Sequence, residues 1–393
     1  MKNQDPSQEH LQSIISLYNA GKLQQALSEA TQMMERFPNS FILYNISGAS
    51  NAALKRFDAA IVSYKQALRI KPDYAEVHNN MGSALSDKGD FEGAIESYKQ
   101  ALRIKPDYAG AYYNMGSVMK DKGDFEGAIE SYKQALRIKP DYAGAYNNMG
   151  NALSSKGDLE EAIESYKQAL RIKPDFAGAY NNMANAMKNK GDLAEAIESC
   201  KQALKIKPDY ADAYYNMANA MKDKGDLAEA IDSYKQALKI KPNYASAYYN
   251  MGNALNEKGN PEVAIDSFKQ AIKIKPDYAL AYNNMGNALS SKGDLEGAID
   301  CYNQAIRIKP DYAEGHCNLG AVLQLLNQSE PALASYEKAI SLKKDFNEAI
   351  SGLGLLLLNK GKHSEGLDKL IQGEGSILFS IEKGFSVKSG GKE

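Results

Sequence analysis

A single 24-residue stretch occurs twice without a change, at residues 87–110 and 121–144, so that the two copies are 34 positions apart. Prolines recur at the same interval: Pro38, Pro72, Pro106, Pro140, Pro174, Pro208, Pro242, Pro276 and Pro310. A fixed period of this size is typical of stacked, equivalent units rather than of one compact globular domain. The sequence therefore predicts a tandem array in which each unit buries its apolar face against its neighbours.

One unit, residues 143–176, contains two apolar patterns with helical spacing, the first of which runs through Tyr146, Met149, Gly150 and Leu153. Such spacing at i, i+3, i+4 and i+7 predicts one face of a helix. Between the two patterns lies Gly157, which can take the left-handed conformation that ends a helix. Each unit is thus predicted to be a helix–turn–helix hairpin. Small residues, such as Ala162 and Ala169 of the second pattern, are expected where its helices cross.

The start of each second helix carries an acidic pattern. Asp158 is followed three residues later by Glu161, and this spacing predicts a capping box at the helix N-terminus. The pairs Asp192 with Glu195 and Asp226 with Glu229 repeat the pattern.

The order of aromatic, small and apolar residues over 34 positions resembles the tetratricopeptide repeat, with tyrosine where that repeat more usually has tryptophan, a residue this chain lacks. The resemblance covers residues 7 to about 372. It implies an all-α fold, a right-handed superhelical α-solenoid with the first helix of each hairpin on the concave side.

The regularity of the repeats gives the expected organisation. Residues 1–6 are predicted to be disordered, 7–74 to form two atypical units, and 75–312 to form seven near-consensus units. Residues 313–346 form a degenerate unit, in which Pro331 predicts a bend or ragged turn at 327–331. A partial capping unit, 347–375, and a flexible or hairpin tail, 376–393, complete the chain.

Composition excludes several classes of protein. The net charge is −2 and no basic stripe is present, so nucleic-acid binding is not expected. No apolar signal core or span of about 18 apolar residues occurs, and three cysteines make no disulfide framework, which together favour a cytoplasmic protein without membrane insertion. No metal, cofactor or catalytic motif is recognisable, so the chain is predicted not to be an enzyme.

The first helices carry one asparagine per unit, which we call the asparagine ladder: Asn80, Asn114, Asn148, Asn182, Asn216, Asn250, Asn284 and Asn318. A second row follows three residues later on the same helical face: Ser83, Ser117, Asn151, Asn185, Asn219, Asn253 and Asn287. Tyr113, Tyr215 and Tyr249 stand beside them.

A carboxamide offers donors and an acceptor that match a peptide backbone. The ladder resembles the asparagine row in the superhelix of O-GlcNAc transferase, which grips substrate polypeptide, although no catalytic domain follows here. We therefore predict a protein-interaction scaffold that binds extended polypeptide in its concave groove. A carboxylate clamp for chaperone tails is not expected, because the cation positions hold Asn114, Asn147, Asn148, Gly144 and Asp212.

Three alternatives remain at this level. The asparagines could instead bond neighbouring first helices and fix the superhelical pitch. The chain could self-associate through its ends, with the apolar segment 353–358 against the irregular first unit. It could also be the targeting subunit of a separately encoded modifying enzyme.

Overall fold

The computed structural model describes residues 5–380 and 384–389, and the chain divides into two compact units, the first ending at Ile206 and the second beginning at Lys207. The first unit contains α1 (Gln8–Asn19), α2 (Leu23–Arg36), α3 (Phe41–Ala53), α4 (Phe57–Ile70), α5 (Ala75–Lys88), α6 (Phe91–Ile104), α7 (Ala109–Asp121), α8 (Phe125–Ile138), α9 (Ala143–Lys156), α10 (Leu159–Ile172), α11 (Ala177–Lys190) and α12 (Leu193–Ile206). The second contains α13 (Ala211–Lys224), α14 (Leu227–Ile240), α15 (Ala245–Glu257), α16 (Pro261–Ile274), α17 (Ala279–Ser291), α18 (Leu295–Ile308), α19 (Ala313–Leu325), α20 (Ser329–Leu342), α21 (Asn347–Asn359), α22 (His363–Glu374), β1 (Gly375–Ser380) and β2 (Gly384–Ser389). Each unit is a stack of helical hairpins, as an all-α solenoid requires.

Consecutive helices pair into hairpins whose crossing is lined with small residues. In the pair α9 and α10, Ala162 and Ala169 are fully buried and Tyr166 is almost so. A Cβ atom added to Gly150 would lie 2.6 Å from the Tyr166 ring. The glycine therefore makes room for the tyrosine of its own hairpin, which explains the small residues predicted at this crossing.

The turn between the helices of a hairpin uses a residue with positive φ. Gly157 has φ 98°. Lys55 (φ 60°) and Asn327 (φ 61°) occupy this place where glycine is missing. Helix α20 then begins at Ser329 and is regular, so the predicted bend or ragged turn is wrong. Pro331 falls in the first turn, where a backbone N–H has no partner within the helix.

The capping boxes predicted at Asp158 and Asp226 are also wrong. The side chains of Asp90 and Asp124 cap their helices by accepting hydrogen bonds from Gly93 N and Gly127 N, both at 2.9 Å. Asp158 makes no cap bond and pairs with Lys156 at 3.0 Å instead. Asp226 likewise pairs with Lys224, at 2.7 Å, and Asp192 with Lys190, at 3.1 Å.

The residue three positions after the aspartate differs between the two kinds of helix start. Asp90 and Asp124, which cap, are followed there by glycine, and a Cβ atom on Gly93 would lie 2.6 Å from Oδ2 of Asp90. Asp158 is followed there by Glu161, and its carboxylate pairs with lysine.

The ends of the array are less regular. Residues 1–4 lie outside the described part, but Asp5 accepts a hydrogen bond from Ser40 and Pro6 is buried, so the predicted disorder does not extend to these two residues. Strand β1 pairs antiparallel with β2, with Ile377 opposite Val387, and this hairpin is the departure from an all-α chain.

Helix α21 covers the last complete hairpin. Leu353, Leu356 and Leu357 are buried, whereas Leu355 is 49 % exposed. Most of the apolar segment expected to drive self-association is therefore used in packing within the chain. Among the described residues, no helix has the length and apolar character needed to cross a bilayer.

Candidate functional site

The asparagine ladder lies on the first helices of the hairpins, from α5 to α19, one residue in each. All eight asparagines are half-buried. Their position is set by the helical period: the residue that follows each asparagine, such as Met115 beside Asn114, packs in or against the core, which leaves the amide at the margin of the surface.

Ladder amides donate to the preceding hairpin, to the residue 35 positions earlier. The acceptor is an asparagine oxygen or a tyrosine hydroxyl. The bonds are Asn80 to Asn45 (3.4 Å), Asn114 to Asn79 (3.1 Å), Asn148 to Tyr113 (3.0 Å), Asn182 to Asn147 (3.1 Å), Asn250 to Tyr215 (3.0 Å), Asn284 to Tyr249 (3.1 Å) and Asn318 to Asn283 (3.0 Å). The ladder thus joins neighbouring first helices, which is the structural role left open by the sequence.

The asparagine acceptors are the residues that sequence reasoning missed, whereas the tyrosine acceptors belong to the predicted site. Asn79, Asn147 and Asn283 each stand directly before a ladder asparagine and are buried. Tyr113, Tyr215 and Tyr249 occupy the same position in other units, and their rings pack at 4.8–5.0 Å on Tyr142, Tyr244 and Tyr278. The available signal was that this position holds Asn or Tyr in the units from 75 to 312, both of which carry an acceptor.

The second row bonds to the second helix of its own hairpin. The tyrosine 15 positions later shares a hydrogen bond with it: Ser83 with Tyr98 (3.2 Å), Ser117 with Tyr132 (3.1 Å), Asn151 with Tyr166 (2.8 Å), Asn219 with Tyr234 (2.7 Å) and Asn287 with Tyr302 (2.8 Å). Phe268 and Cys200 replace this tyrosine below Asn253 and Asn185. Asn185 is exposed and has no hydrogen-bond partner within the described chain.

Both rows of side chains face a series of open cavities in the first compact unit, before residue 206. One of them, with a volume of about 510 Å³, lies between α7, α9 and α11 and is lined by Asn151, Asn182, Asn185 and Tyr166. A neighbouring one of about 170 Å³ repeats this arrangement with Ser83, Ser117, Asn114 and Tyr98. The structure therefore brings the two predicted rows to one surface here.

Comparison with known sequence families gives matches along most of the chain. A sequence profile described as TPR repeat matches residues 51–89, 82–123, 116–157, 150–191, 188–225, 218–259, 252–293 and 286–327, and one described as tetratricopeptide repeat matches 313–346. These matches cover more than half of the chain. The chain belongs to the tetratricopeptide-repeat family.

Solved structures of tetratricopeptide proteins resemble this chain over between 41 % and 93 % of its length. The crystal structure of MamA is 32 % identical, with 41 % of this chain and 94 % of that chain covered, at a TM-score of 0.39. YrrB, described as a TPR protein with an unusual peptide-binding site, is 24 % identical, with 48 % of this chain and 96 % of that chain covered, at a TM-score of 0.40. Yeast Tom70 is 16 % identical over 93 % and 91 %, at 0.47. No curated protein matches the sequence.

The tetratricopeptide surface retains hydrogen-bonding capacity after its internal bonds are made. Asn250 and Asn318 use both amide hydrogens, because each also donates to the residue 31 positions earlier, at 3.0 and 3.2 Å. The carboxamide oxygens of Asn114, Asn250 and Asn318 accept no hydrogen bond from any residue that the structure describes. An amide oxygen has two lone pairs. The surface is therefore richer in open acceptors than in open donors.

The tyrosine hydroxyls below the rows stay neutral. Burial raises the pKa of Tyr98 and of Tyr132 to about 12, although hydrogen bonds with Ser83 and Ser117 oppose the shift. Burial likewise raises the pKa of Tyr166 and Tyr234. The surface consequently offers dipoles rather than tyrosinate charge at neutral pH.

The residues with potential for other chemistry are packed. His78 and His316 each place Nε2 within 3.0–3.1 Å of the carbonyl oxygen of Pro72 or Pro310. Cys200, Cys301 and Cys317 are buried free thiols, and burial raises the pKa of each. The described residues contain no cluster suited to a metal ion.

Proposed function

We propose that this tetratricopeptide chain is a non-catalytic protein-interaction scaffold that holds extended polypeptide along its first helices. The observation that carries the proposal is the set of open carboxamide oxygens at Asn114, Asn250 and Asn318. The internal bonds of the ladder fix each carboxamide in orientation, so little side-chain entropy is lost when a guest binds.

The chemistry of the contact follows from the open acceptors. Backbone N–H groups of an extended segment donate to the asparagine oxygens, and because every non-proline residue has such a donor, the contact does not read side chains. The ladder amides thereby have two roles: they form hydrogen bonds between neighbouring hairpins, and they make the first contact with a partner. The eight asparagines, the second row and the three tyrosines all belong to this proposed surface.

The test uses a fluorescein-labelled 15-residue peptide of alternating alanine and serine with blocked ends, and the same peptide N-methylated at every second residue. Fluorescence anisotropy with the full chain is expected to show binding of the first peptide and at least tenfold weaker binding of the second, because N-methylation removes the donors. Equal binding of both peptides, or of neither, would contradict the proposal.

Variants place the contact on the ladder. The double change Asn114→Ala and Asn250→Ala removes two open oxygens and is expected to weaken the unmethylated peptide severalfold. Gln134→Ala is the matched control, because Gln134 bonds to Glu130 on a second helix, away from the ladder. Circular dichroism of both variants separates a loss of binding from a loss of fold.

A further inference from the structure

One cavity differs from the other cavities in the first compact unit, which ends at Ile206. It has a volume of about 280 Å³ and lies where α1, α3, α4 and α5 meet. Its lining contains no asparagine from α3, since Ile46 and Ala49 stand where the later units have the ladder asparagine and the second row. The residues that line it are Tyr18, Ala49, Ala52, Ala53, Tyr64, Asn80, Ser83, Ala84 and Asp87.

Tyr64 lines this cavity and lacks the hydrogen-bond partner that the equivalent tyrosines of the next hairpins have. Its side chain is only 2 % exposed. In the next three hairpins the equivalent tyrosine shares a hydrogen bond with Ser83, Ser117 or Asn151, but here the residue 15 positions earlier is Ala49. Among the described residues nothing hydrogen-bonds to the Tyr64 hydroxyl. The Tyr64 side chain lines the open cavity, so its hydroxyl can accept a hydrogen bond from a ligand that enters.

Asp87 adds an uncompensated charge at the same place. Its exposed carboxylate lines this cavity and also the adjoining one of about 170 Å³. The neighbouring Lys88 is engaged by Asp58 at 2.6 Å, whereas in the next hairpin Lys120 pairs with Asp121 at 3.0 Å. No cation in the described chain forms an ion pair with Asp87.

We propose that this cavity takes the side chain of a lysine from the bound polypeptide. The alkyl stem lies over Ala49, Ala52 and Ala53, and the ammonium group donates to the carboxylate of Asp87 and to the hydroxyl of Tyr64. An ammonium has three donors and no acceptor, which matches a wall of oxygens. This inference rests on the proposed function. Near-identical hairpins alone do not specify where a bound polypeptide starts, and a lysine held in this cavity would fix its register.

The experiment compares three blocked alanine–serine 15-mers that differ only at the central residue, which is lysine, norleucine or glutamate. With the full chain, the lysine peptide is expected to bind about tenfold more tightly than the norleucine peptide. The glutamate peptide should be the weakest. The preference for lysine should shrink as salt is raised, because Asp87 is exposed.

Two variants locate the preference. Asp87→Asn removes the charge, and Ala49→Asn fills the cavity with the amide that the later hairpins carry; both should bring lysine and norleucine peptides to equal affinity. Asp121→Asn, the same residue one hairpin later, should leave the preference intact. A preference that survives Asp87→Asn would overturn the assignment.

The outcomes also separate this inference from the function it rests on. Equal binding of the lysine and norleucine peptides to the unaltered chain would refute the lysine cavity and leave the scaffold standing. Absence of binding by all three peptides would refute both.

Discussion

The side-chain amide of Asn182 donates a hydrogen bond to the carboxamide oxygen of Asn147 at 3.1 Å, which links α11 to α9 across one hairpin. Asn147 is only 8 % exposed. Its oxygen therefore depends on the next hairpin for a partner, and the stability of one repeat is coupled to the presence of the following one.

Removal of this bond should be costly. Asn182→Ala leaves the buried oxygen of Asn147 without that donor, and we expect the free energy of unfolding to fall by about 1–3 kcal/mol. Urea titration followed by circular dichroism measures the change. Asn185→Ala, on the same helix but exposed and without a hydrogen bond in the described chain, should change stability by less than about 0.5 kcal/mol. Similar losses in the two variants would show that the bond contributes nothing.

Replacement of the aspartate before a second helix by alanine should have unequal effects, because Asp124 caps its helix and Asp158 does not. Asp124→Ala removes a cap bond to Gly127 N and should cost about 1 kcal/mol of unfolding free energy. Asp158→Ala removes only an exposed ion pair with Lys156 and should cost less than about half as much. Thermal or urea unfolding of both variants would reveal the difference, and the reverse order would contradict the geometry at the turns.

The cavity beside Tyr64 should be repairable. Ala49→Ser restores the hydroxyl that Ser83 supplies to Tyr98 in the next hairpin, and we expect a gain of about 0.5–1.5 kcal/mol in the free energy of unfolding. Ala49→Val is the control, since it adds similar volume without an acceptor. If valine stabilises as much as serine, filling of space rather than hydrogen bonding explains the gain.

Alkaline pH should weaken the fold through its buried tyrosines. The pKa of Tyr98 and Tyr132 is about 12 in the folded chain, against 10.0 as the ordinary value. Above pH 10 the unfolded chain therefore loses these protons first, and the free energy of unfolding falls until about pH 12, by at most about 1.4 kcal/mol per pH unit for each tyrosine.

Urea midpoints measured between pH 9 and pH 11.5 provide the test. Tyr132→Phe should flatten the decline, and Phe268 shows that a phenyl ring fits this place in another hairpin. An unchanged slope in the variant would assign the alkaline sensitivity to other groups.

Helix positions were predictable because the apolar period and the turn residues repeat in every unit. The expected unit starts at 75, 109 and 143 coincide with the first residues of α5, α7 and α9. A positive φ at Lys55 or Asn327 was less evident, since only the context of the repeat, and not the residue type, requires it.

The partners of the ladder could not be predicted from the sequence. Whether the amide of Asn148 meets Tyr113 depends on the separation of two helices that are 35 residues apart, which periodicity does not specify. The caps failed for a different reason. Asp158 and Glu161 have the spacing of a capping box, but the carboxylate of Asp158 pairs with Lys156 instead, and the spacing alone does not specify which of these contacts forms.

The 35-position offset between ladder donors and their acceptors has an evolutionary consequence. Because the offset exceeds the 34-residue period by one, a repeat such as that of Asn147 and Asn148 presents a donor to its predecessor and, directly beside it, an acceptor to its successor. Unequal recombination that inserts or deletes a whole repeat recreates the same junction wherever it occurs. Lengthening of the array by whole repeats, such as the identical stretches 87–110 and 121–144, thus carries little structural penalty, while a one-residue insertion within a first helix shifts its donor out of register.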